Sequence, residues 1–193
     1  YGDSIIKPLF RQKFENSDVT KITVLEDGDS VKFAFANGSD LLVTDGNNII
    51  STLPDFHGGY KIASAKIGDK IIAIGNRFNR INYWINENSQ ITSGSLEIQY
   101  EASTTPVIRK TLTESYELII GTTAGIILVY NLESIISGNT TIKDSILVDP
   151  TYPILKISAS NSSISAITNS NANQTECYFF STDGTKINII NEG

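Results

Sequence analysis

The chain is poor in cysteine, histidine, tryptophan, arginine and proline, and it contains no methionine. Each shortage removes something. A single cysteine, Cys177, excludes an internal disulfide and fits a reducing compartment. That cysteine and a single histidine, His57, offer no ligand spacing for zinc. His57 is the sole imidazole, and in "PDFHGGY", a connection with flanking glycines, it reads as a solvated or loop-packing residue rather than a catalytic base. Lys plus Arg number 15 against 21 Asp plus Glu, for a net charge of −6. The basic footprint of a duplex-binding domain is therefore missing, and an anionic membrane surface is disfavoured. No apolar run approaches the ~18 residues of a spanning helix, and no signal-peptide pattern opens the chain. A start at Tyr1 without any Met reads as a processed or trimmed piece. The expectation is a cytoplasmic or nuclear protein with no cofactor, no metal, no nucleic acid and no membrane partner.

What is present is a globular composition: 193 residues, 40% hydrophobic and 19% charged. A chain of this length buries roughly 70% of its extended-state surface. Sequons stand at Asn37, Asn139, Asn161 and Asn173, but 17 asparagines in a Ser- and Thr-rich chain generate that many by chance.

The strongest internal signal is a repeat. "TTPVIR" (Thr104 to Arg109) and "TYPILK" (Thr151 to Lys156) match in type with an offset of 47. "YELII" (Tyr116 to Ile120) and "SISAIT" (Ser163 to Thr168) follow them with the same offset. "VTKITVL" from Val19 and "YKIASAKI" from Tyr60 open two earlier units, so four units tile the chain, at about 15–55, 56–103, 104–150 and 151–193. The runs within each unit are short and rich in Ile, Val, Thr, Tyr and Phe, which predicts strands. "INYWIN" alternates, with Ile81, Tyr83 and Ile85 on one face and Trp84 on the other. Asn37-Gly38, Asp45-Gly46, Gly68-Asp69 and Asp183-Gly184 punctuate the runs with residues that tolerate positive φ. The third unit predicts strands at Val107–Leu112, Tyr116–Ile120, Gly125–Tyr130 and Asp144–Val148. "YNLESIISG" has room for one helical turn.

The most motif-like stretch, Gly121-Thr122-Thr123-Ala124-Gly125, invites comparison with a phosphate cradle. A P-loop needs a Lys and a following helix, and a dinucleotide fingerprint needs three glycines and a helix. This stretch lacks the Lys, and an apolar strand-like run follows, so it reads as a hairpin turn.

Four-stranded meanders at this period resemble a β-propeller of the WD40-like kind. Tyr130-Asn131-Leu132 and Trp84-Ile85 stand where that family carries Trp-Asp at the end of a third strand, although no Trp-Asp or Gly-His pair occurs. The resemblance implies an all-β chain of about four antiparallel blades across residues 15–192. Two stacked sheets satisfy the same count of meanders. An open arc of four blades leaves apolar end faces uncovered. Either the ring closes on itself, with residues 1–14 as a latch strand, or further sequence or another chain covers the ends.

Two clusters are candidates for partner contact. "GNRFNRINYW" (Gly75 to Trp84) gathers Arg77, Phe78, Arg80 and Trp84, residue types enriched at interface hot spots. Phe56, His57 and Tyr60 form the second, with Tyr152 at the matching place two units later. Both clusters are read as lying in unit-to-unit connections, and so on one rim. The leading expectation is a non-enzymatic protein-interaction scaffold within a larger assembly, contacting other subunits or itself through blade edges. The alternative is a sialidase-type glycosidase or a carbohydrate-binding propeller. "FFSTDGTKI" (Phe179 to Ile187) resembles the acid-box turn of such enzymes but is one residue short and lacks its Trp.

Overall fold

The computed structural model describes residues 19–27, 30–37, 40–44, 48–53, 61–88, 90–171, 174–181 and 186–192. The expected latch segment 1–14, the cluster Phe56, His57 and Tyr60, the Asp45-Gly46 turn and residues 182–185 with Asp183-Gly184 lie outside them, as does Gly38.

Among the described residues, sixteen strands form four separate four-stranded antiparallel sheets, each built from consecutive strands. The first holds β1 (Val19–Asp27), β2 (Ser30–Asn37), β3 (Asp40–Thr44) and β4 (Ile49–Leu53). The second holds β5 (Ile62–Ile67), β6 (Lys70–Arg77), β7 (Arg80–Glu87) and β8 (Gln90–Glu97). In the third are β9 (Val107–Lys110), β10 (Tyr116–Gly121), β11 (Ile126–Asn131) and β12 (Ile142–Leu147). β13 (Ile154–Ala159), β14 (Ser163–Asn171), β15 (Gln174–Ser181) and β16 (Lys186–Glu192) complete the fourth. Among the described residues no strand is exchanged between sheets, and four separate sheets are not the two of a stacked sandwich. First strands meet across sheets: β1 lies against β5, β5 against β9, and β13 against β9 and β10.

Helix α1 (Leu132–Ile136) interrupts the β11–β12 connection. Asn131 caps it, its side chain accepting from the Ser134 N–H at 3.1 Å.

Apolar layers fill the spaces between the second, third and fourth sheets. Ile72 and Ile74 of β6 and Ile81 and Ile85 of β7 pack against Leu118, Ile120, Leu128 and Tyr130 of the third sheet. Leu132 and Ile135 of α1 close that layer. The next layer joins Ile119, Ile127, Val129 and Ile146 to Ile154, Ile164, Ala166, Tyr178 and Phe180 of the fourth sheet. The alternation of a pleated strand produces both layers from one sheet. On the far side of the fourth sheet, Ile167, Cys177 and Phe179 are half-buried, beside Lys156, Ser158 and Ser165.

The 47-residue offset is out of phase between the third and fourth sheets. Leu118 and Ile120 of β10 face the preceding sheet, and so do Ile164 and Ala166 of β14. An offset of 47 would pair Ile119 with Ala166, which face opposite ways. The turn of residues 111–115 between β9 and β10 is longer than that of residues 160–162 between β13 and β14. A register shift between Ile154 and Lys156 also adds to β13. A shift of one residue reverses every side chain in a strand, so the repeat carries from sheet to sheet only through these adjustments.

Candidate interaction rim

The strands alternate in direction, so each sheet has two ends. One rim carries the β6–β7 turn, the β10–β11 turn, and the connections 98–106 and 148–153. The other carries the β5–β6, β7–β8 and β9–β10 turns and α1.

On the first rim the turn is only two residues long, Phe78-Asn79, between paired Arg77 and Arg80. Phe78 has φ +51, a left-handed conformation that costs a bulky L-residue roughly 1–2 kcal/mol. The turn is fixed from behind: the Ile98 N–H donates to Asn79 O at 2.8 Å and the Ala102 N–H to Phe78 O at 2.7 Å. The held backbone leaves the Phe78 ring 58% exposed. The Arg77 guanidinium lies over that ring, 4.9 Å from its centroid. Arg80 pairs with Glu97 at 3.5 Å, with both side chains at least half exposed. Such a pair is worth at most about 1 kcal/mol and exchanges readily for another carboxylate.

Hydrogen bonds run on from this turn to the fourth sheet. Buried Asn76 donates its side-chain N–H to Thr104 O at 2.9 Å. Lys61 Nζ donates to Ser103 O, and the Ser103 hydroxyl donates to Ile154 O. Thr104 Oγ1 accepts from the Gly121 N–H at 3.0 Å, and the Thr123 N–H donates to Glu101 O at 2.9 Å. Val148 and Asp149 donate their N–H groups to Gly125 O, and Ile154 donates its own to Thr122 O.

The glycine loop is thus the β10–β11 hairpin turn. Both its glycines are required by packing. A Cβ on Gly121 would lie 2.6 Å from Thr104 Cγ2 and 2.7 Å from Ile154 Cγ2. Gly125 has φ +70, and a Cβ there would lie 1.5 Å from Asp149 O.

Of the candidate residues, Arg77, Phe78 and Arg80 come together on this rim, and half-buried Tyr152 sits on the same rim in the 148–153 connection. Two readings need correction. The Arg77–Arg80 stretch is a hairpin turn within the second sheet, not a connection between units, although it is hydrogen-bonded to one. Trp84 is fully buried, because the pleat turns it inward on the face of β7 opposite Ile81 and Ile85, and it can touch no partner.

A buried charged group was not singled out from sequence. Arg109 Nε donates to Glu117 Oε2 at 2.7 Å, and Lys143 Nζ bonds Oε1 of the same carboxylate. The Arg109 and Glu117 side chains are each 4% exposed. Burial pushes the Glu117 carboxyl up, but the bonds and charges of Lys143 and Arg109 outweigh it and hold the group below its ordinary 4.5. Arg109 also donates to Ser160 O and Ser163 O of the β13–β14 turn. With its oxygens occupied on both sides, Glu117 ties β9, β10 and β12 to the fourth sheet. Its position inside the apolar run "YELII" was the available signal. Among the described residues no group of three or more His, Cys, Asp or Glu is placed to hold a metal ion.

No family model matches the sequence, and no curated protein matches it. Solved structures do match in shape. A crystal structure of BBS1N in complex with ARL6DN, soaked with mercury, superposes with a TM-score of 0.63 at 11% identity, over 92% of this chain and 56% of that one. The same complex soaked with lead gives 0.62 at 14% identity, over 89% and 53%. This chain has a β-propeller architecture. The likeness at such low identity is one of fold alone, and the chain spans about half the length of those propeller domains. Each four-stranded sheet is a blade, with the first strands, which meet across blades, as the innermost ones.

Proposed function

We propose that this propeller is a non-enzymatic scaffold that binds other proteins within a larger assembly, and that it engages a partner through the Phe78 rim. The observation that carries the reading is the Phe78 turn itself. A large aromatic ring is held out into solvent, in a backbone conformation that disfavours it, with two arginines beside it. Conformational strain of this kind is maintained at functional sites, and aromatic and Arg side chains anchor interfaces. Arg80, at least half exposed, can exchange the Glu97 carboxylate for one supplied by a partner, so the matching surface carries a carboxylate beside an apolar socket. The neighbouring propeller structures are complexes with a second protein, which supports the class of function. The single cysteine supports placing that assembly inside the cell, in cytoplasm or nucleus.

Quantitative affinity purification tests the proposal. Proteins recovered with the wild-type chain should fall at least fivefold with Phe78→Gly. They should be unaffected by Leu112→Ser, which alters an exposed residue on the other rim. Equal recovery by Phe78→Gly, or hydrolysis of fluorogenic glycosides by the purified chain, would overturn it.

A further inference from the structure

The second rim carries a groove of about 470 Å³ between the second blade and α1 of the third. Its origin is local. Leu132 and Ile135 of α1 are fully buried in the layer between the blades, which fixes the helix there. Ile136, one step further round the helix, is left half-buried above the second sheet. Beneath it runs the cross-strand row Ile72, Ile85 and Thr92, with Ile67 at the end of β5 beside it. The result is a trough walled by a sheet on one side and a helix on the other, in which Ile67 and Ile136 offer half-buried aliphatic surface over buried Ile72 and Ile85 and the remaining lining is polar. Its volume falls in the range of ligand sites, about 300–1,000 Å³.

The rim of the trough is charged unevenly. Lys70 and Glu87 face each other on β6 and β7 and pair at 3.5 Å, so they cancel. Glu133, on the helix wall, is exposed, and among the described residues no cation pairs with it. One uncompensated carboxylate therefore stands beside the half-buried aliphatic side chains of Ile67 and Ile136.

We infer that this groove binds an extended segment of a partner protein that carries an aliphatic side chain and, two residues away, a Lys or Arg. In an extended chain residues two apart point the same way, so one enters the trough while the other meets Glu133. Sheet and helix walls present side chains for both contacts, the pattern by which grooves read short linear segments. The negative net charge of the chain favours the approach of a basic segment. The site is separate from the Phe78 rim and does not depend on it.

The test uses ¹⁵N-labelled protein and the peptide acetyl-Ser-Ile-Ser-Arg-Ser-amide. Amide resonances of Lys70, Gln90, Thr92 and Ser137 should shift saturably. Binding should weaken at least tenfold when the peptide Ile becomes Ala or its Arg becomes Glu. Glu133→Lys should reverse the charge preference and favour the Glu peptide. Thr92→Trp, at an exposed position on the floor, should fill the trough and abolish the shifts, with the rest of the spectrum intact. No saturable shift in the wild type, shifts centred elsewhere, or unchanged binding by Thr92→Trp and Glu133→Lys would overturn the inference.

Discussion

Replacing Glu117 by Gln removes one charge from a place where two cations depend on it. Arg109 is left with its side chain 4% exposed and no counter-charge, while Lys143, 49% exposed, turns to solvent. Losing one partner of a buried pair costs about 3–5 kcal/mol, whereas an exposed lysine loses at most about 1 kcal/mol. For a chain of this size that corresponds to roughly 6–20 °C in Tm. Urea and thermal unfolding followed by circular dichroism measure it. The pH dependence supplies a second readout. The folded carboxyl titrates below its ordinary 4.5. Its contribution is complete above that value and is lost as pH falls through the lower folded one. The gap between wild type and Glu117→Gln should therefore be full at pH 7 and close progressively in acid. The double variant Arg109→Met with Glu117→Leu should recover to within about 2 kcal/mol of wild type, since apolar replacement removes the stranded charge. A loss below about 1 kcal/mol for Glu117→Gln, or a gap independent of pH, would refute the reasoning.

Other outcomes follow from the same geometry. Gly125→Ala should lose roughly 3 kcal/mol or more in urea unfolding, combining the left-handed penalty with displacement of the hydrogen bonds from Val148 and Asp149. Trp84→Ala should lose about 3–5 kcal/mol as a buried cavity, while Arg80→Ala on the adjacent turn should stay within about 1 kcal/mol. Phe78→Gly should leave stability unchanged or raise it by up to about 1–2 kcal/mol, because Gly accepts φ +51 without strain.

Much of the sheet architecture was readable because the strands advertise it locally. "INYWIN" alternates without interruption, and the structure places Ile81 and Ile85 on one layer and Trp84 away from it. The third blade has four strands close to the predicted spans, and Gly68 takes the positive φ its turn was expected to need. The site was less legible. Arg, Phe and Trp adjacent in sequence looked like one cluster, yet the pleat that exposes the Phe78 turn buries Trp84 a few residues on. Burial is a property of the face and not of the residue type. The Arg109–Glu117 pair was hidden because its members are separate in sequence and join only through the β9–β10 register. The groove was invisible for the same reason: its floor belongs to one blade and its helical wall to the next.

The hydrogen bonds that link the Phe78 turn to the fourth blade are made largely by main-chain groups at their receiving ends. Carbonyls of Phe78, Asn79, Glu101, Thr104 and Ile154 accept them as main-chain groups, and Gly125 O does so at a position closed to any side chain. Phe78 and Asn79 are held through their carbonyls alone, so the side chains at the tip of the turn can be exchanged to retune what the surface recognises without unfastening one blade from the next, while Asn76, Ser103, Thr104 and the two glycines cannot.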